Sequence, residues 1–468
     1  MLKKLRDAGV ITTCRLFLPI LIFCLCPELT WSDEVQRLSQ DEAVKLAIEN
    51  NLGLEAERIS TATKKRNSDM AWNVLIPTVE ASGTFGRLNV TPEPMVLPLP
   101  PLLGGPISVS MGEQWRLLGS LSLSLNVNFG LFEAMRTLKK NYEAGLLSYE
   151  KAKLQLERDV RKSYFQIQLL QENLNLLKEN LDAATKRAAM AEANYNAGLV
   201  PKFTMLQAKV ALENLKPVIY ELENGIITSM AAFGMNLGLP FGTQIELIRA
   251  ESPKEYITLN QEEITSKAIS ARPEMLELQK NIDALKSRKK AVTMQIYTPT
   301  LALGWNWDPT FQGDPTKDSW FSNDWKQSSG MFRVTLAYRL SSLLPFSSEA
   351  QSLKDLDATI RTLEINMGQL MYGTEVEILN TILKLEKSMG SIDTLKMNVD
   401  LAEQSYKLTE EAFQAGLLEL LDVQNADIEL QKARLEVIKE DYNYVMSLLD
   451  LEYAMGVPFG TLSSKEKR

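Results

Sequence analysis

The side chains that most often do covalent or metal chemistry are the ones this sequence lacks. Histidine does not occur among the 468 residues, and the three cysteines, Cys14, Cys24 and Cys26, lie near the start. Beyond them, no disulfide, thiolate zinc site, Ser–His pair or Cys–His pair can be assembled. Neither a G-x-x-x-x-G-K-[ST] loop nor a G-x-G-x-x-G loop is present to hold a nucleotide. Carboxylates remain, but they are scattered along helical stretches, and solvated helix faces are the plainer reading. The residues therefore predict no enzyme, no catalytic or metal site and no cofactor. The formal charge is −8, and setting aside the +2 of the first 32 residues leaves −10. That acidity argues against a nucleic-acid partner and for a solvated acidic surface or lumen.

The start reads as a secretory signal. Basic residues precede the apolar run from Leu16 to Cys26, and Thr30-Trp31-Ser32 supplies small residues for a cut after residue 32. The run is about half the ~20 residues a membrane span needs, which disfavours an anchor. Phe23 and Leu25 stand where lipidation of Cys24 or Cys26 wants a small residue.

What remains is written twice. Gly238-Leu-Pro-Phe-Gly-Thr243 returns 218 residues later as Gly456-Val-Pro-Phe-Gly-Thr461, and Ala197-Gly198-Leu199 returns at the same offset as Ala415-Gly416-Leu417. So large a period means a duplicated subdomain rather than a solenoid. The first copy is expected over 33–250 and the second over 251–461, with a tail at 462–468.

Two periodicities run inside each copy. Leu121, Leu123, Leu125, Val127 and Phe129 alternate with Ser and Asn, which predicts a strand with one apolar and one polar face. Four such strands are expected, over 78–89, 117–129, 300–308 and 331–340. A soluble sheet packed on helices and a membrane barrel both fit this alternation. Tryptophan favours the barrel: Trp72, Trp115, Trp305, Trp307, Trp320 and Trp325 all lie in or beside these segments, as interface aromatics do. Elsewhere the period is helical. From Leu156 through Val160, Ile167, Leu174, Leu181 and Ala188 to Tyr195, apolar or small residues follow a 4,3 spacing, which is a heptad seam. Long helical hairpins are expected over 131–237 and 347–455, each turning at its Ala-Gly-Leu, and shorter helices over 39–75 and 261–297. The expected class is α+β, mostly α, with internal duplication.

Two strands, a very long helical hairpin and a short crossing, all duplicated, resemble the TolC-like outer-membrane efflux channels. The resemblance spans the chain beyond the signal. It rests on Leu38-Ser-Gln-Asp-Glu-Ala43, Leu259-Asn-Gln-Glu-Glu263, Pro77 and Pro299, the two tips, Leu421-Asp-Val-Gln-Asn425, and the Leu-Gly-Leu-Pro and Met-Gly-Val-Pro endings. It implies a homotrimer, because four strands cannot close and small barrels start near eight. Three chains would give a membrane β-barrel of about twelve strands, continued by a coiled-coil α-barrel. It further implies a passive exit duct of a tripartite efflux or type I secretion system, in outer-membrane lipid with a periplasmic extension. The partners it implies are a periplasmic adaptor at Ala197–Leu199 and Ala415–Leu417 and an inner-membrane pump. By the same resemblance Asp422 lies at the pore constriction, with Asn425, Thr204 and Gln207 as its uncharged neighbours. Asp422 is equally readable as an N-terminal helix cap. A structural coiled-coil envelope protein and the periplasmic adaptor itself are the rival readings.

Overall fold

A period of two becomes strand and a period of 3.5 becomes helix. The computed structural model describes residues 35–90, 95–98, 100–101, 105–109, 114–249, 261–312 and 330–462. The signal segment, Trp320, Trp325 and residues 463–468 lie outside the described residues. The first half runs β1 (Gln36–Leu38), α1 (Gln40–Asn50), α2 (Leu52–Asp69) and β2 (Thr78–Arg87). A small hairpin follows, β3 (Met95–Leu97) with β4 (Ile107–Val109), and then β5 (Trp115–Val127), α3 (Gly130–Asn196), α4 (Lys202–Asn236) and β6 (Ile245–Leu247). The second half runs α5 (Gln261–Ala271), α6 (Pro273–Tyr297), β7 (Thr300–Trp307), β8 (Thr310–Gln312), β9 (Gly330–Ala337), α7 (Ser348–Gln414) and α8 (Leu420–Met455).

Five of the strands form one antiparallel sheet in the order β2-β5-β7-β9, with β8 beside β5. Its register sorts the faces. Val79 lies opposite Leu123, Leu123 opposite Trp305, and Trp305 opposite Phe332. The next row on that face is Leu125, Leu303 and Val334. Directly opposed residues share a face, so one side of the sheet is apolar across all four strands. The other side carries rows such as Thr78, Ser124, Gly304 and Arg333. Trp305 and Trp307 stand on the apolar side. Trp115 stacks on Phe85 at 5.1 Å at one end of the β2–β5 pair. Trp72 marks the other end, in a 3-10 turn over Ala71–Leu75 that feeds β2.

The single helix expected over 39–75 is two helices, broken at Asn51. Its side chain accepts a hydrogen bond from the Leu54 N–H at 3.0 Å and donates to the Asn236 carbonyl at 2.9 Å. The helix thus restarts on a residue tied to the end of α4. The helix expected over 261–297 breaks in the same way at Arg272, because the next residue is Pro273. A residue before proline is pushed out of the helical region, and Arg272 sits at φ −62°, ψ 125°.

α3 and α7 are each 67 residues long, about 100 Å of helix. α7 begins and ends 218 residues after α3. Of the seam positions, Val160, Ile167, Ala184, Ala188 and Ala191 are buried. α3 packs on α4 and on α8, and α8 packs on α7, so α4 and α7 stand at opposite edges of a helical wall. Midway along the wall, β1 pairs in parallel with β6. Tyr164 fixes that crossing: its fully buried hydroxyl donates to the Leu38 and Ile248 carbonyls. Burial pushes its pKa up to about 12, so the hydroxyl keeps its proton throughout the neutral range.

The G-x-P-F-G-T phrase is a double stop. Gly238 at φ +72° ends α4, with its own N–H on the Met235 carbonyl and the Leu239 N–H on that of Gly234. Gly456 at φ +64° ends α8 with the same two bonds. These pairs close a helix on a left-handed glycine. Gly242 (φ +94°) and Gly460 (φ +85°) then turn the chain again. A Cβ on Gly238 would lie 2.2 Å from the Asn50 carbonyl oxygen, whereas one on Gly198 would meet nothing within 4 Å. Both glycines have positive φ, so Gly198→Ala should cost only the left-handed strain of about 1–2 kcal/mol. Gly238→Ala adds a backbone clash and should lower the thermal midpoint clearly further. Equal losses in thermal unfolding by circular dichroism would show that the close approach to Asn50 does not matter.

Candidate functional site

Both hairpins turn by one device. At the first tip the Gly198 N–H bonds the Tyr195 carbonyl at 2.9 Å and the Leu199 N–H bonds that of Asn194 at 2.8 Å. At the second, Gly416 bonds Phe413 and Leu417 bonds Ala412, each at 2.9 Å. Gly198 and Gly416 sit at φ +75° and +76°. Ala197 and Ala415 close the helices, and the following leucines project: Leu199 is 74% exposed and Leu417 77%. Leucine at that exposure in a rigid turn contributes nothing to the protomer's core.

Above the tips, Asp422 and Asn425 come together. With Leu418, Ser405 and Glu429 they line an open groove of about 390 Å³ between α7 and α8. Asp422 is not itself the N-cap. Glu419 is, and the Asp422 carboxylate reaches back to the Glu419 N–H at 3.1 Å, forming a capping box at the start of α8. The cap reading is therefore right in kind and displaced by one turn. Asp422 and Asn425 are both exposed. Thr204 and Gln207, half-buried in the first turns of α4, lie on the other hairpin and do not enter this groove.

One feature of the tip region gave no signal in the sequence. Arg187 on α3 meets Asp427 on α8 at 2.5 Å, with side chains only 14% and 6% exposed. Arg187 also reaches the Tyr406 hydroxyl on α7 at 3.4 Å, and Gln431 donates to Asp427 at 3.4 Å. Beside them Ala188, Ala191, Ala208 and Leu420 form a small buried cluster. This joins the two hairpins of one chain just above their tips. Partners 240 residues apart on separate helices leave no local pattern.

The arrangement is a wall: an apolar-faced sheet at one end, a sheaf of long helices, and two bare turns at the other. The family model for outer membrane efflux proteins matches residues 43–232 and 372–457, more than half of the chain. The chain belongs to the outer membrane efflux protein family. This efflux protein is similar to Nodulation protein T of Rhizobium leguminosarum bv. trifolii, 20% identical over 340 residues, which are 72% of this chain and 71% of the relative. The crystal structure of the Campylobacter jejuni CmeC outer membrane channel matches its fold with a TM-score of 0.72 at 17% identity, over 89% of this chain and 85% of that one. The outer membrane protein VceC of Vibrio cholerae matches with a TM-score of 0.68 at 14% identity, over 90% and 96%. The chain is thus an outer-membrane efflux protein of the Gram-negative type with the fold of the TolC-like channels, and its family is not one of enzymes. Among the described residues no helix is long and apolar enough to cross a membrane.

Proposed function

We propose that three copies of this chain close into a passive exit duct, the outer-membrane member of a tripartite efflux or type I secretion system. One observation carries the reading: among the described residues both walls stop at unpartnered edges. The sheet ends at β2 and β9, exposed along their whole lengths. Open strand edges cannot persist in lipid, so β9 of one copy must meet β2 of the next. The helical wall ends at α4 and α7, which expose apolar residues at helical spacing: Phe203, Leu206 and Val210 on one, Leu401 and Leu408 on the other. Four strands from each of three chains reach the size at which barrels close with a water-filled interior. The polar sheet face would then line the pore, and the two tips would meet a periplasmic adaptor backed by an inner-membrane pump.

Detergent-extracted protein should have the mass of a trimer. A monomer that stays in solution without detergent would reject the duct. On the same reading the narrow end lies at Asp422 and Asn425, faced by Thr204 and Gln207. Like carboxylates around a constriction favour cations. Asp422→Asn should lower the cation-over-anion permeability ratio in planar bilayers by up to roughly fivefold, since one exposed charge shifts a nearby ion by about 1 kcal/mol. An unchanged ratio would leave Asp422 with its capping role alone.

A further inference from the structure

The duplication lets one half of the chain report what the other half is missing. On the first hairpin, Ala184 and Arg187 of α3 and Ala208 and Ala211 of α4 form two sides of a crevice, and the chain's own α8 forms the third with Gln424, Asp427 and Ile428, Asp427 reaching across to Arg187. Adding the 218-residue offset maps those four residues onto Ala402, Ser405, Ala426 and Glu429. All four line the open groove between α7 and α8. Among the described residues of one chain, only α7, α8 and the turn between them line that groove.

The same offset names the occupant. Gln424, Asp427 and Ile428 correspond to Leu206, Lys209 and Val210 of α4. Leu206 and Val210 are 47% and 58% exposed, so this face of the edge helix α4 is open, and Val210 is as exposed as its counterpart Ile428 at the rim of the first crevice. We propose that α4 of a second copy packs on the α7–α8 groove as α8 packs on the first hairpin's crevice, placing its Lys209 opposite Ser405 and within reach of Glu429, which lines the same groove. The inference rests on the trimeric duct and deepens it by naming the side chains at its subunit junction.

Charge agrees with this pairing. Residues 183–213, around the first tip, carry four basic and two acidic side chains, a net +2. The equivalent 401–431 carry one lysine and seven carboxylates, a net −6. Complementary charge sets partner and register at an interface. Inside the chain the cation, Arg187, sits on the hairpin and the anion, Asp427, on the helix packed against it. Between copies the polarity reverses, with Glu429 in the groove and Lys209 on the helix packed against it. In one chain Lys209 meets its own Glu192 at 2.7 Å, with both side chains over 40% exposed. So exposed a pair is weakly held and gives way to a buried partner.

The test uses the full chain, which has no cysteine after Cys26. Ser405→Cys and Lys209→Cys are combined and treated in membranes with a short bis-maleimide. The inference expects loss of the monomer band on denaturing gels and its replacement by covalent dimers and trimers, with neither single variant doing so. Uncrosslinked monomers from a protein that is trimeric in detergent overturn the groove pairing and leave the duct standing. A wild type that is monomeric in detergent overturns both. As a second measurement, Lys209→Glu and Glu429→Lys should each raise the leak current of the resting channel, and the two together should restore it. Failure of the exchanged pair to restore a leak caused by each alone overturns the ion pair.

Discussion

Export should be lost when Gly198 and Gly416 are both replaced by tryptophan, while the protein remains assembled in the outer membrane. Neither glycine has a neighbour within 4 Å of where a Cβ would be, so the substitution meets open space and its cost inside the protomer is backbone strain. That is about 1–2 kcal/mol per site, small beside a helical wall whose seam runs the length of 67-residue helices. A docking partner, by contrast, would meet two large rings where it needs a bare turn carrying Leu199 and Leu417. Blocking a central anchor of an interface costs 2 kcal/mol or more, about thirtyfold in affinity. Cargo accumulation measured beside trimer content in outer-membrane fractions separates the two effects. Undiminished export from a full complement of double-variant trimers would remove the tips from the docking surface.

The largest loss of stability should follow Arg187→Leu. It strands the Asp427 carboxylate, 6% exposed, between α3 and α8. Removing one partner of a buried pair costs about 3–5 kcal/mol, because the other charge stays buried alone. Substituting both, as Arg187→Leu with Asp427→Leu, removes that stranded charge and should recover most of the loss. Limited proteolysis reads this locally: the single variant should be cut near the tips first, and the double variant should resist. If the double variant is cut as readily as the single one, packing rather than charge holds the hairpins together at this level.

The sequence shows clearly what depends on repetition and poorly what depends on one contact. The seam from Leu156 to Tyr195 and the alternation at Leu121–Phe129 recur over many residues, so α3 and β5 could be read from them. The helix breaks rest on single residues. Pro273 carries a local signal that an unbroken helix over 261–297 overlooks. Asn51 carries almost none, because its break depends on the Asn236 carbonyl 185 residues away. The site divides in the same way. The tips are local turns of glycine and were legible, while the Arg187–Asp427 pair joins helices that only the fold brings together. Asp422 lies between, since an acid near a helix start signals capping without saying whether Glu419 or Asp422 leads.

The first hairpin's seam also changes size along its length. Leu170, Leu174, Leu177 and Leu181 give way to Ala184, Ala188 and Ala191, the last three all buried. Helix axes lie about 8–10 Å apart according to the side chains between them, so the alanine stretch draws neighbouring helices toward the short end of that range. A protomer packed by that rule would be a wedge, broader where leucine spaces its helices and slimmer toward the tips. Wedges set side by side enclose a funnel, so the taper of such a conduit would be written in side-chain volume, with no bend required in any helix.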